Sequence, residues 1–251
     1  MEIGQHTSQQ YDQELEEVRN MALQMGGMVE DRLSKALRAL IENDSQLAEQ
    51  VAYSDQQVNN LEIQIDEACI QIIARRQPAA GDLRLWISLI KSVTDLERIG
   101  DEAEKIARHS LSSNNLGSGS LHASLRHLGH CVRDMLRDSL DATARMDSQK
   151  AVDVAKSDEI IDSEFDNLSR ELLTRMMEDP RNIKGSLNVM WCARSLERIG
   201  DHSRNICEYV VYLVEGKDVR HSGSINTIGE GDHDHDAANT NANPSAPPSA
   251  S

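Results

Sequence analysis

Two identical hexapeptides, residues 96–101 and 196–201, both read LERIGD and lie 100 positions apart. Each carries two acids four residues apart, Glu97/Asp101 and Glu197/Asp201. On a helix such a pair shares one face, one turn apart, and repels by about 0.2–0.5 kcal/mol. A bound cation would offset that repulsion. Glu62/Asp66 and Asp162/Asp166 repeat the spacing and the offset of 100. Four carboxylates per repeat, without Cys or His, form a hard oxygen site suited to Mg²⁺, Mn²⁺, Ca²⁺ or iron, with room for more than one ion. Asp55, Asn59 and Asp158 lie near the same stripes and could contribute. The competing reading is a solvated acidic face, since Asp134/Asp138 and Asp158/Asp162 also match an acid-x-x-x-acid pattern. Duplication in both the second and third helices of each repeat favours the cation.

The residues around the pairs add little other chemistry. Arg98 and Arg198 follow each Glu and are expected to form salt bridges that steady the acidic groove. Gly100 and Gly200 fall mid-helix, where they cost stability, so a close approach by a helix or ligand is expected there. His202 sits five residues from Glu197 and is off its face. No Glu-x-x-His pair of the di-iron bundles accompanies the motifs. GxxxxGK[ST], GxGxxG and GxSxG are absent, and the histidines show no nucleophile–base pattern. The chain therefore reads as a non-enzyme. Trp86 and Trp191 fall on helix stripes and read as core. The run from His233 to Asp236 reads as solvated tail.

Long helices must position these acids. Leu15, Val18, Ala22, Met25, Val29, Leu33, Ala36 and Leu40 space a helix over 11–42, with Gly26 and Gly27 marking a close contact or bend. Asp44 or Ser45 caps a second helix that ends before Pro78. Asp82 caps a third, over 83–111. Residues 112–120, rich in Ser, Asn and Gly, form a linker. The plan then repeats: helices over 121–146 and 148–178, a break at Pro180, and a last helix to about 215. This predicts an all-α fold of two similar three-helix bundles related by a pseudo-two-fold, residues 1–111 and 121–215. Residues 216–251 read as a disordered acidic and polar tail. The register of the second helices is ambiguous, because Ser54-Asp55 echoes Ser157-Asp158 at an offset of 103 instead of 100.

Composition narrows the partners. The 251 residues hold 26 Lys+Arg against 42 Asp+Glu, a net charge of −16. That disfavours nucleic acid and anionic membranes, and suits cations and basic protein surfaces. Aromatics are only 3% and Pro is scarce, as long helices require. No run reaches 18 apolar residues, residues 1–20 lack the apolar segment of a signal peptide, and the four Cys form no CxxC. The expectation is a cytoplasmic protein with reduced thiols.

These residues also resemble the PhoU family. The likeness rests on MGGMVE (25–30), IDEACIQIIARRQP (65–78), DLRL (82–85), DLERIGDEAEKI (95–106), MMEDP (176–180) and CARSLERIGDHSRNICE (192–208), and spans about residues 8–221. It implies two pseudo-symmetric three-helix bundles with metal clusters on acid-x-x-x-Asp motifs. Those fall on Glu97/Asp101 and Glu197/Asp201, and on Glu62/Asp66 and Asp162/Asp166. The metal implied is Mg, Mn, Fe or Zn. The resemblance further implies a homodimeric negative regulator of the phosphate-starvation response and of phosphate uptake. Its partners would be the phosphate ABC transporter, through its cytoplasmic ATPase subunit, and a sensor histidine kinase. It would meet the membrane only through them. A metal-storage bundle using the same carboxylates, and a metal-free helical scaffold, are the competing functions.

Overall fold

The computed structural model describes residues 3–53, 56–78, 80–112 and 120–216. Within them the chain forms eight α-helices and no strand. They are α1 (Ile3–Glu42), α2 (Ser45–Ala52), α3 (Gln56–Arg76), α4 (Ala80–Ser112), α5 (Ser120–Arg145), α6 (Ser148–Lys156), α7 (Asp158–Glu178) and α8 (Ile183–Glu215), with a 3₁₀ turn at Pro180–Asn182. The linker core and the tail fall outside the described residues.

Six of these helices are long, and the expected boundaries shift in three places. The first starts at Ile3, because its polar first turns carry no apolar stripe to mark them. The third starts at Ala80, so Asp82 sits in its first turn, where a carboxylate favours the helix dipole, instead of capping it. The second helix of each repeat is broken in two. Tyr53 closes α2 with its N–H on Glu49 O and Val51 O. At Ser157 the hydroxyl takes Val154 O at 2.6 Å, competing with the helix ladder.

The repeat is built into the turns. Asn43 and Met146 both adopt positive φ, at 55° and 53°. The next N–H reaches back to close the preceding helix: Asp44 to Ala39 O and Asp147 to Ala142 O, both 3.0 Å. The same two aspartates then cap the following helix, accepting from Leu47 N and Lys150 N.

Buried residues fix the register. α1 and α5 match at an offset of 103 (Val18/Leu121, Met25/Leu128, Val29/Val132), as do α3 and α7 (Val58/Ile161, Ile65/Leu168, Cys69/Leu172). α4 and α8 match at 100 (Val93/Ala193, Leu96/Leu196, Ile99/Ile199). The three-residue difference is absorbed before the third helix. Two reciprocal contacts show the pseudo-two-fold. A Cβ on Gly26 would lie 2.6 Å from Leu140 Cδ2, and one on Gly129 would lie 2.6 Å from Leu37 Cδ2. Gly26 is thus the close helix contact that the sequence predicts.

α4 and α8 share the largest helix–helix interface and run antiparallel. Lys91 lies over the Tyr209 ring, and at the other end Trp191 stacks on His109 at 6.4 Å. One hydrophobic cluster runs through both repeats. Trp86 is fully buried within it, as expected. Trp191 is not core. It is 55% exposed, because position 191 turns outward, where its ring stacks on His109.

Candidate metal centres

The first acidic groove lies between α3 and α4. Glu62 and Asp66 project from α3, and Glu97 and Asp101 from α4; all four are half-buried. Burial raises the Glu62 carboxyl above its ordinary value, and the charges of Asp66 and Asp101 push it further the same way. The structure therefore brings α3 and α4 acids into one electrostatic group. Asp66 Oδ1 is buried without a hydrogen-bond partner.

The second groove, between α7 and α8, differs in membership. Glu197 is raised by burial and then by Asp201 and Asp162, against a 2.7 Å contact with Arg194. Its Oε2 is buried and unpartnered. Asp162 and Asp166 are both exposed, but of the two only Asp162 is among the charges that act on Glu197 and Asp158. Asp158 takes its place at the bottom, only 3% exposed. Burial pushes its carboxyl up to about 6, with Asp162 and Asp201 adding to the rise and Arg204 opposing it. Asp158 Oδ1 also lacks a partner.

The offset of 103 explains the exchange. In the frame of the buried stripe Asp162 corresponds to Asn59 and Asp158 to Asp55, while Glu62 corresponds to Phe165. In that frame the Glu62/Asp66 and Asp162/Asp166 pairs, equal in spacing at an offset of 100, do not fall on equivalent positions. The echo of Ser54-Asp55 in Ser157-Asp158 carries the true register, although residues 54 and 55 themselves lie outside the described residues. Sequence reasoning missed Arg204 and Arg32, two guanidinium groups that reach these grooves from a neighbouring turn or helix.

Of the two LERIGD glycines, Gly200 is a point of close approach and Gly100 is in ordinary contact. A Cβ on Gly200 would stand 3.2 Å from Asp158 Oδ1 and from Ile161. One on Gly100 would meet Arg32 Nη1 at 3.6 Å and Val58 at 3.7 Å. Arg98 and Arg198 form ion pairs, as expected, but chiefly with the seam between α4 and α8. Arg198 meets Glu102 at 3.2 Å and Arg98 stands 3.9 Å from Asp95. His202 also belongs to the seam, with Nδ1 2.8 Å from Asp95 Oδ1. Burial works against the Glu102 charge, but hydrogen bonds from Ser195, Lys105 and Arg198 hold its carboxyl below the usual value. Asp101 and Asp201 both line the seam, so the two acidic grooves flank it.

The donor set fits a hard cation by chemistry. Asp66, Asp158 and Glu197 each hold a buried carboxylate oxygen with no hydrogen bond. Leaving a charged oxygen so costs about 1–3 kcal/mol or more, which an ion would recover. The geometry is open: among the described residues, no three His, Cys, Asp or Glu side chains are yet disposed to hold an ion. Ligation would require rotamer changes on α3, α4, α7 and α8. The run His233 to Asp236 lies outside the described residues. The four Cys are free thiols, and burial pushes Cys69 and Cys192 up to about 12, so they offer no ready thiolate.

An all-helical pair of repeats with an acidic groove on each defines a duplicated carboxylate bundle. The model of the PhoU domain matches residues 22–109 and again 125–210. A phosphate-specific transport system accessory protein PhoU homolog of Pseudomonas putida is 57% identical over 222 residues, 88% of this chain and 87% of that one. The accessory protein PhoU of Escherichia coli K12 is 47% identical over 223 residues, 89% and 92% of the two chains. The crystal structure of PhoU from Pseudomonas aeruginosa superposes with a TM-score of 0.80 at 52% identity, covering 82% of this chain and all of that one. That of the phosphate transport system regulatory protein PhoU from Streptococcus pneumoniae gives 0.78 at 33% identity, covering 83% and 99%. The chain belongs to the PhoU family.

Proposed function

We propose that this chain is an accessory protein of a phosphate-specific transport system that negatively regulates the phosphate-starvation response and phosphate uptake. It acts as a metal-binding, non-enzymatic adaptor between the cytoplasmic ATPase subunit of the phosphate ABC transporter and a sensor histidine kinase. Residues 1–111 and 121–215 are its two repeats, and a cytoplasmic homodimer its working form. The observation that carries the reading is the similarity to accessory proteins of that name across nearly nine-tenths of the chain. Two features support the adaptor role. A chain of net charge −16 suits basic faces of partner proteins and steers their approach. No described helix is long and apolar enough to cross a membrane, so partners would provide the attachment.

Glu62, Asp66, Glu97 and Asp101 would hold an ion in the first groove, and Asp158, Asp162, Glu197 and Asp201 in the second. Asp166 stands aside. A bound Mg, Mn, Fe or Zn ion supplies charge neutralisation. These residues supply helices α3/α4 and α7/α8, whose spacing that charge controls. Neutralising like charges on facing helices draws them together and stabilises the folded state by linkage.

The test is a phosphate-starvation promoter reporter in a strain lacking the gene, grown in ample phosphate. The reporter is expected to switch on, and the wild-type gene to silence it. Glu97→Ala/Asp101→Ala is expected to fold but fail to silence. Full silencing by that variant would remove the metal from the function and leave the regulator. A reporter silent without the gene would overturn the regulatory reading in favour of metal storage.

A further inference from the structure

The two grooves carry opposite charges at two equivalent positions. Where α4 has Glu104 and Arg108, α8 has Arg204 and Glu208. In the first repeat Glu104 lies outside the acidic group and is neutralised by Arg32 at 3.2 Å and Arg108 at 2.5 Å. In the second repeat the guanidinium turns into the groove. Arg204 pairs with Asp158 through Nη1, stands 3.4 Å from Asp201 Oδ1 through Nη2, and 3.7 Å from Glu208 Oε1 through Nε. Asp158 and Asp201 are two of the four acids that an ion there would need.

Resting on the metal-binding reading above, we infer that Arg204 is an internal counter-cation that competes with metal for the second groove. Arg204 is planar and directional. It can bridge several carboxylates, but it cannot draw them around one point as a metal ion does. It leaves Asp158 Oδ1, on a residue 3% exposed, without a partner. The groove is therefore neutralised in part and satisfied in part. An ion entering it must displace the guanidinium, which is 38% exposed. Arg204 is a selectivity-setting residue: a weakly bound or scarce cation loses to it, and a multivalent one at sufficient concentration wins. The same insertion holds Asp158 and Asp201 on different nitrogens of a flat group, which fits the open disposition of the acids in this groove.

The test uses the full chain, freed of metal by chelation, with Mn²⁺ as probe and with thermal unfolding and bound-Mn²⁺ stoichiometry as readouts. Arg204→Gln should bind Mn²⁺ in the second groove at least about tenfold more tightly than wild type, since a like charge within a few ångströms of the ion is gone. Its unfolding temperature should drop in chelator and recover with Mn²⁺, the added ion doing what the guanidinium did. Arg204→Lys, which keeps a charge but cannot span three carboxylates, should fall between. If Arg204→Gln does not fold without metal, the comparison of wild type with Arg204→Lys decides. Adding Glu197→Ala/Asp201→Ala to Arg204→Gln should abolish the gain. Unchanged Mn²⁺ affinity in both Arg204 variants, or a gain that survives the two alanines, overturns this inference while metal binding stands. No Mn²⁺ bound by wild type or by either Arg204 variant overturns both.

Discussion

The two LERIGD segments are identical in six residues and meet different neighbours. Around Gly100 the nearest groups are an Arg32 guanidinium, Val58 and Val29, at ordinary van der Waals distances of 3.6–3.8 Å. Around Gly200 they are a carboxylate oxygen and Ile161, all at 3.2 Å. One motif therefore sits in a roomy groove and its copy in a tight one. A duplicated sequence preserves the residues that must stay and frees the surroundings to diverge. Here Arg32 in α1 corresponds to Met135 in α5, so the first repeat receives a guanidinium from its first helix and the second from its third.

The sharpest way to break this comparison is at the glycines themselves. Gly100→Ala should stabilise the protein by about 1 kcal/mol, since Ala is the better helix residue and its methyl finds contact without overlap. Gly200→Ala should destabilise it by about 1–2 kcal/mol, as the methyl presses on Asp158 and on Ile161 in a packed interface. Urea unfolding of both variants in chelator measures the difference. Equal effects from the two substitutions would mean that the repeats are alike and the asymmetry is not real.

The second comparison concerns pH. Asp158 is raised from 3.8 to about 6 in the folded protein. A group raised on folding contributes stability that is present below its unfolded value and lost as pH climbs through its folded value. In metal-free protein, Asp158 should therefore weaken the fold by about 2 kcal/mol between roughly pH 4 and pH 7. Asp158→Asn should remove that slope, so that the variant gains on wild type as pH rises. Denaturant midpoints across that range check it, and parallel curves for the two proteins would show that Asp158 is ionised throughout.

How far the sequence foretold this depends on the kind of signal. Six long helices and the Asp44 cap were legible, because apolar period and cap chemistry are local and strong. The second-helix acids were only half legible. Glu62/Asp66 and Asp162/Asp166 share a spacing, but the buried stripe places Asp158 and Asp162, not Asp166, beside Glu197. A shift of three residues is nearly a helical turn, so periodicity leaves such a slip nearly invisible. Arg204 was not legible at all, since its meaning depends on a partner 46 positions away. Trp191 was misread because it lies beside the buried stripe of Val189, Cys192, Ala193 and Leu196 and not on it.

Gly26 and Gly27 make a comparison within one helix. A Cβ at 26 would overlap Leu140, whereas at 27 nothing lies within 4 Å. Gly27→Ala should raise stability by about 0.5–1 kcal/mol, the ordinary helix-propensity gain. Gly26→Ala should forfeit that gain to the displaced leucine. Because Gly129 meets Leu37 in the same way, Gly129→Ala should match Gly26→Ala to within about 0.5 kcal/mol. Thermal midpoints of the three variants test whether the α1–α5 contact is as symmetric in energy as in distance.

The smallest effect expected lies along the α4–α8 seam. Arg198 reaches Glu102 at 3.2 Å, joining Lys105 at 2.9 Å on a carboxylate that is almost wholly buried. Arg98 stands 3.9 Å from Asp95, which His202 and Asn205 already hold at 2.8 and 3.5 Å. Both arginines are half exposed, so solvent screens them and neither contributes much. Arg198→Ala should cost about 0.5–1 kcal/mol and Arg98→Ala about 0–0.5 kcal/mol. Raising the salt concentration should shrink the first of these toward the second, because screening acts on the part of the interaction that reaches through water. A larger loss from Arg98→Ala than from Arg198→Ala would mean that Asp95 depends on the guanidinium more than on the imidazole beside it, and would move the weight of the seam from α8 to α4.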